Sequence, residues 1–298
     1  MRILMTGASG LVGTALTAEL RVAGDTVNRF VRPGAPTGSG DVSWNPETGE
    51  MNLAAAEGAD AVVNLAGASI GGGRWTADQK KLLRSSRVDL TEHLIAGLAR
   101  LKSPPKIFVS ASAIGYYGDR GEESLTEQSA GGQGFLSQIT RDWESAATKA
   151  EQFGARTVIA RFGIVLSKNG GALPQMLTPF KLGVGGRIGT GKQWMSWIAL
   201  DDAIAAIRAA ITDAATRGPL NIVAPNPARN TEFTRALAHV LHRPAIFPAP
   251  AFALRLILGE MADALLLSSQ RVIPEKLTQH RFQFHYADLE AALRRALE

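Results

Sequence analysis

The chain opens on an alternation of short apolar runs and helical periodicity. Ile3-Leu4-Met5 is an unbroken apolar run, the pattern of a strand buried on both faces. Beyond a glycine-rich turn, Leu16, Leu20 and Val22, with Ala15, Ala18 and Ala23 between them, predict a helix packed closely on a sheet. Thr26 to Val31 predicts a second strand, closed by the turn signal Arg32-Pro33-Gly34. The polar excursion Val42-Ser43-Trp44-Asn45-Pro46 reads as a small hairpin. Further strands are predicted from Ala61 to Leu65, Ile107 to Ser110 and Thr157 to Arg161. Helices are predicted between them, from Asp78 to Leu101 and from Leu136 to Phe153. Alternation of this kind predicts an α/β fold: a doubly wound, Rossmann-type parallel sheet whose ligands bind beyond the carboxyl ends of its strands.

The pattern loosens after Ser167. The stretch from Ser167 to Lys192 is rich in Gly, Pro and Leu without a clear period, and predicts a long irregular segment contributing to a binding site. Trp194-Met195-Ser196-Trp197-Ile198 then leads into an alanine-rich helix starting at Leu200-Asp201-Asp202-Ala203-Ile204. A strand-like run at Leu220 to Val223 and a helix from Thr231 to Leu241 follow. The longest apolar stretch, Ala251 to Leu267, carries Arg255, Glu260 and Asp263 at helical spacings, so it predicts an amphipathic helix rather than a membrane span. These boundaries predict a nucleotide-binding domain over 1–165 and a smaller C-terminal substrate-side lobe over 166–298. Some chain returns to the first domain around 194–223, and a C-terminal module occupies about 248–297.

Composition narrows the chemistry. There is no cysteine among the 298 residues, which excludes disulfides, thiolate zinc sites and cysteine nucleophiles. The five histidines do not cluster; His239 and His242 share a helical face with no third ligand near in sequence, so no metal site is expected. The net charge of +5 is scattered rather than gathered into blocks, which argues against nucleic acid as a partner. With the first strand beginning at once and no membrane span, a cytoplasmic location is expected. The expected partners are a small-molecule substrate and, at most, a second copy of the chain in a homodimer.

The glycine turn carries the most specific signal. Thr6-Gly7-Ala8-Ser9-Gly10-Leu11-Val12-Gly13 lies between a predicted strand and a predicted helix. That context places free backbone N–H groups and the positive end of a helix dipole where a pyrophosphate sits. Gly7, Ser9, Gly10, Leu11, Val12 and Gly13 are therefore candidate cofactor-binding residues. No Asp or Glu occurs from Thr26 until Asp41, whereas Arg32 stands at the end of the second strand. A carboxylate there would accept from ribose hydroxyls; an arginine instead faces a 2′-phosphate, so NADP(H) is the expected cofactor. A second glycine run, Gly186-Arg187-Ile188-Gly189-Thr190-Gly191-Lys192, has P-loop spacing. Gln193 stands where a Mg²⁺-binding Ser or Thr is required, which rules the motif out.

Several motifs together resemble the extended short-chain dehydrogenase/reductases, and within them the atypical, YfcH-type epimerase family. They are the Thr6–Gly13 turn, Asn64-Leu65-Ala66-Gly67, Arg74-Trp75-Thr76, Gly115-Tyr116-Tyr117-Gly118-Asp119, Gly189-Thr190-Gly191-Lys192-Gln193-Trp194, Trp197-Ile198-Ala199-Leu200-Asp201-Asp202 and Gln270-Arg271-Val272-Ile273-Pro274-Glu275-Lys276-Leu277. The resemblance runs end to end, including the C-terminal module. It implies a Rossmann-type domain holding NADP(H), with Leu65, Ala66, Gly67 and Arg161 bordering the cofactor. It also implies a tyrosine–lysine pair near the start of the helix at Leu136, where this chain has neither. The usual serine position falls on Ala113, with Ser112 one residue early. Ser112, Tyr116 and Tyr117 are the remaining catalytic candidates, and pocket lining is the alternative role of the two tyrosines. Gln138, Leu173, Met176, Lys192 and Trp194 are candidate substrate-pocket residues. The expected function is that of an NADP-dependent oxidoreductase or epimerase-like protein acting on a small, partly apolar carbonyl or hydroxyl compound. A non-catalytic NADP(H)-binding sensor and a sugar-nucleotide epimerase are the alternatives.

Overall fold

A computed structural model describes all residues, 1–298. Seven parallel strands form the central sheet: β1 Arg2–Thr6, β2 Thr26–Val31, β3 Val42–Ser43, β4 Ala61–Asn64, β5 Ile107–Ala113, β6 Arg156–Phe162 and β7 Gly218–Ile222. Their order is β7-β6-β5-β4-β1-β2-β3, so the chain winds outward from β1 first one way and then the other. Strand alternation sorts the core. Ile3, Met5, Val63, Val109 and Val158 face Leu16 and Leu20 of the helix Leu11–Val22 and Ala203 to Ile211 of the helix Leu200–Thr212. Leu4, Val62, Phe108 and Ile159 face the opposite layer, with Leu94 and Leu98 of the helix Leu90–Leu98. Both faces are thus covered, which is why these strands read as continuous apolar runs.

Three predicted elements differ in detail from expectation. The expected hairpin at Val42 forms, its arms joined by the antiparallel bridge between Trp44 and Met51, with Asn45 N donating to the Glu50 carbonyl and Asn52 N to the Ser43 carbonyl. Its first arm also becomes an edge strand, pairing Val42 and Ser43 in parallel with Phe30 and Val31. Burial of Val42 and Trp44 against the sheet holds this arm at the edge. The stretch expected to be irregular after Ser167 contains a helix, Leu173–Lys181. Leu173, Leu177 and Phe180 fall on one buried stripe, and Pro174 in the first turn needs no N–H partner. The predicted helix from Ala251 to Leu267 breaks at Gly259, whose φ of 62° ends the helix Ala251–Leu258 before a π-helical turn over Ala262–Leu267. Its apolar side faces outward, with Phe252 73% and Leu256 77% exposed. No helix is long and apolar enough to cross a membrane.

The second lobe has its own core, in which Leu166, Trp197, Phe233, Leu237, Ala292 and Leu293 meet the helix Leu173–Lys181. Short strand pairs stitch it to the sheet: Ile164–Leu166 with Trp197–Ala199, Trp194–Met195 with Ala228–Arg229, and Ser124–Leu125 with Arg271–Val272. The P-loop-like run is a turn of this lobe. Gly189 donates to the Ala249 carbonyl, and a Cβ at Gly186 would strike the Phe247 backbone; no helix follows it.

Candidate cofactor cleft and the residues beneath it

The glycine turn is built for close backbone approach. Gly7 has φ 66°, and a Cβ there would lie 2.7 Å from the Leu65 carbonyl carbon. A Cβ at Gly13 would collide with the Gly7 carbonyl oxygen and lie 2.8 Å from Ala8 Cα. Gly10 caps the helix Leu11–Val22 with no side-chain hydrogen bond, which leaves the amides of Leu11, Val12 and Gly13 facing the turn beside exposed Ser9. Thr6 fixes this turn to the next strand: its hydroxyl accepts from Leu65 N at 3.1 Å and Ala66 N at 3.2 Å and donates to Asn64 Oδ1 at 2.7 Å. Asn64 Nδ2 in turn donates to Thr91 at 2.9 Å, whose hydroxyl also accepts from Trp143 Nε1. The cradle that a Cβ would fill, with free amides over it, fits a dinucleotide pyrophosphate.

At the end of β2 the two arginines differ. Arg29 is bound by Asp41, through Nε at 3.1 Å and Nη2 at 2.5 Å. Burial opposes ionisation of Asp41, but Arg29 and the amides of Arg29 and Gly38 outweigh it and hold the carboxyl below its ordinary range. Arg32, exposed just past the end of β2, has no side-chain hydrogen bond or ion pair. A recess of about 480 Å³ lies beside Arg29, lined by residues that include Ala8, Thr14, Arg29 and Asp41.

The catalytic candidates separate sharply. Ser112 is buried and donates to Glu144 Oε1 at 2.6 Å. Tyr117 is 0% exposed; its hydroxyl donates to Asn221 Oδ1 at 2.7 Å and accepts from Arg161 at 2.9 Å. Burial pushes its phenol up to about 12, against the pull of Arg161. Both hydroxyls therefore make their hydrogen bonds inside the core. Arg161, expected beside the cofactor, is 2% exposed and pairs bidentately with Glu144 at 2.8 and 2.7 Å. Burial alone would lower its pKa, but Glu144 more than compensates and raises it. Only Tyr116 keeps a phenol with partial exposure. Its ring lies under the Arg161 guanidinium, 3.5 Å from the ring centroid, and edge-on to Tyr117.

The expected pocket residues are not one wall. Leu173 is fully buried in the second lobe's core, and Met176 packs partly buried against it. Gln138 is exposed, donating to Asp142 at 2.7 Å and accepting from Arg141 at 2.8 Å along its own helix, Phe135–Thr148. Trp194 is closed on its faces by Arg229 and Arg271, 4.6 and 4.7 Å from the ring, while its N–H donates to Glu122. Lys192 is exposed without a side-chain partner. No group of histidine and acidic side chains is arranged to hold a metal.

The model of the NAD dependent epimerase/dehydratase family matches residues 3–223, the whole sheet. The chain belongs to this family. A domain of unknown function, DUF1731, matches residues 249–296, the C-terminal module. Among relatives, an epimerase family protein of Mycobacterium bovis is 44% identical over 291 residues, covering 98% of this chain and 96% of the relative. The epimerase family protein YfhF of Bacillus subtilis is 41% identical, covering 98% and 97%. A crystal structure of the human epimerase family protein SDR39U1 with NADPH superposes with a TM-score of 0.91 at 34% identity, covering all of both chains. This family assignment bears out the resemblance read from the motifs and the Rossmann-type fold.

Residues that the motifs did not single out complete the cleft's floor. Glu144 has no motif signature, yet it orders Ser112 and Arg161. Arg87 lies against Gly67, where a Cβ would stand 3.3 Å from its Cζ. Its position four residues after buried Leu83 was the available signal, since it places Arg87 on the same inward helical face.

Proposed function

We propose that this family member is an NADP(H)-dependent oxidoreductase or epimerase-like enzyme acting on a small, partly apolar carbonyl or hydroxyl compound. The observation that carries the cofactor is Arg32, an uncommitted guanidinium at the end of β2, beside Arg29 already neutralised by Asp41. A 2′-phosphate supplies the partner that Arg32 lacks, and the human relative crystallised with NADPH supports the same reading. Gly7, Ser9, Gly10, Leu11, Val12 and Gly13 hold the pyrophosphate, with Leu65, Ala66 and Gly67 bordering the dinucleotide. When bound, the nicotinamide supplies or accepts a hydride. Tyr116 is the phenol placed to exchange a proton with the substrate oxygen, its ring fixed by Arg161.

A second reading, cofactor binding without turnover, is favoured by one observation: Ser112 and Tyr117 are both committed within the core. Titration by NADPH and NADH, followed by nucleotide fluorescence, separates the cofactor claim from the chemistry. NADPH should bind at least tenfold more tightly, and Arg32→Glu should erase that preference; equal affinities would overturn the NADP assignment. Loss of NADPH absorbance with any member of a carbonyl panel, slowed by Tyr116→Phe, supports the enzyme, and no loss with any of them supports the binding protein.

A further inference from the structure

We propose that Arg87 is an oxyanion-binding residue on the floor of the cleft, taking a phosphoryl or carboxylate group of the bound ligand. The inference rests on the cleft reading above but on different atoms. Arg87 sits in a π-helical turn, Ser85–Asp89, between the helices Ala77–Arg84 and Leu90–Leu98. Such turns recur at functional sites. Here the turn carries the guanidinium under the loop that leaves β4, where Gly67, having no side chain, lets it approach.

Every partner of this guanidinium is neutral. Nη2 donates to the Ala68 carbonyl at 2.9 Å, and Nη1 to the Leu83 carbonyl at 3.2 Å and Ser86 Oγ at 3.4 Å. Its plane lies near Trp143, 5.5 Å from the ring centroid. No carboxylate forms an ion pair with it, whereas Arg161, the other deeply placed arginine of the cleft floor, has Glu144. Burial pulls the pKa of Arg87 down to about 10, still leaving it charged near neutral pH. A half-buried charge left without a counterion is costly, and the fold supplies none. Its neighbours on the cleft side, Gly67 and Ala68, belong to the loop at the carboxyl end of β4, where ligands of this architecture lie. An anionic ligand group there would complete the pairing.

Two sources offer that chemistry: the pyrophosphate of the dinucleotide and a carboxylate on the substrate. The test measures thermal stabilisation of the full chain by NADPH, inorganic pyrophosphate and acetate, in wild type, Arg87→Gln and Arg87→Lys. Arg87→Met, which keeps the stem packed on Trp143, replaces the glutamine variant if that fails to fold. If the dinucleotide supplies the anion, Arg87→Gln weakens NADPH at least tenfold and abolishes the pyrophosphate shift, while Arg87→Lys keeps part of both. If the substrate supplies it, NADPH binding is unchanged and the acetate shift is lost. A neutral variant that is less stable yet responds to all three ligands as wild type does would overturn the proposal and leave Arg87 a structural clasp. Wild type that ignores NADPH but gains stability from either anion through Arg87 would overturn the cofactor reading alone.

Discussion

At the scale of single residues, the cleft separates groups by what they have already spent. Arg32 and Arg87 hold charges without acidic partners, whereas Ser112, Tyr117 and Arg161 satisfy one another through Glu144 and Asn221. Tyr117 makes this division measurable. Its folded pKa is raised to about 12 from the ordinary 10.0 of a tyrosine, so the folded state holds the proton more tightly. The resulting stabilisation is complete below pH 10 and is lost as pH rises through about 12. Two pKa units correspond to about 2–3 kcal/mol. Urea unfolding at a series of alkaline pH values should therefore show a fall in stability across this window, shallower in Tyr117→Phe. Equal slopes in the two proteins would mean that the phenol ionises without hindrance in the folded state.

Among the elements, those whose sequence pattern and burial agree were legible. β2 runs from Thr26 to Val31 as its strand-like residues and closing Arg-Pro-Gly predicted, and the glycine turn lies where a strand meets a helix. Legibility failed where tertiary contacts outweighed local signals. Val42 joins an edge because Trp44 is buried beneath it, and Leu173–Lys181 is helical although it contains two prolines. The site was half legible for a related reason: backbone cradles leave glycines in the sequence, but hydrogen-bond partners 17 to 104 positions apart leave no local pattern. Asp202 is such a case. At the start of the helix Leu200–Thr212 and fully buried, it accepts from His285 N at 2.8 Å, His285 Nδ1 at 3.0 Å and Tyr286 N at 3.0 Å, tying down the chain before the terminal helix Leu289–Leu297. Asp202→Ala orphans these donors and should cost about 2–4 kcal/mol. Hydrogen exchange should accelerate first in Leu289–Leu297; uniform acceleration over the whole chain would mean that this segment does not open separately.

For the whole molecule, one buried polar network joins the sheet to the C-terminal module. Glu144 on the helix Phe135–Thr148 binds Arg161 of β6 and Ser112 of β5. Arg161 reaches Tyr117, Tyr117 reaches Asn221 of β7, and Asn221 Nδ2 donates to the Ile273 carbonyl at 3.0 Å. Glu127 extends it, accepting from Asn221 N at 3.0 Å. Because the Arg161–Glu144 pair is withdrawn from water, removing one partner strands the other charge, at a cost of about 3–5 kcal/mol. Glu144→Gln and Arg161→Met should each destabilise the fold by roughly that amount. The double variant should be far less destabilised than the sum, since neither charge is then left alone. The exposed pair Lys149–Glu92, at 2.7 Å, is the internal control, because screening by water keeps its contribution under about 1 kcal/mol. Urea denaturation of the four proteins of each cycle reads both couplings. A coupling at Arg161–Glu144 no larger than at Lys149–Glu92 would mean that burial adds nothing to this pair. A large one would mean that burial makes this pair the strongest link in the network that also holds Ser112 and Tyr117.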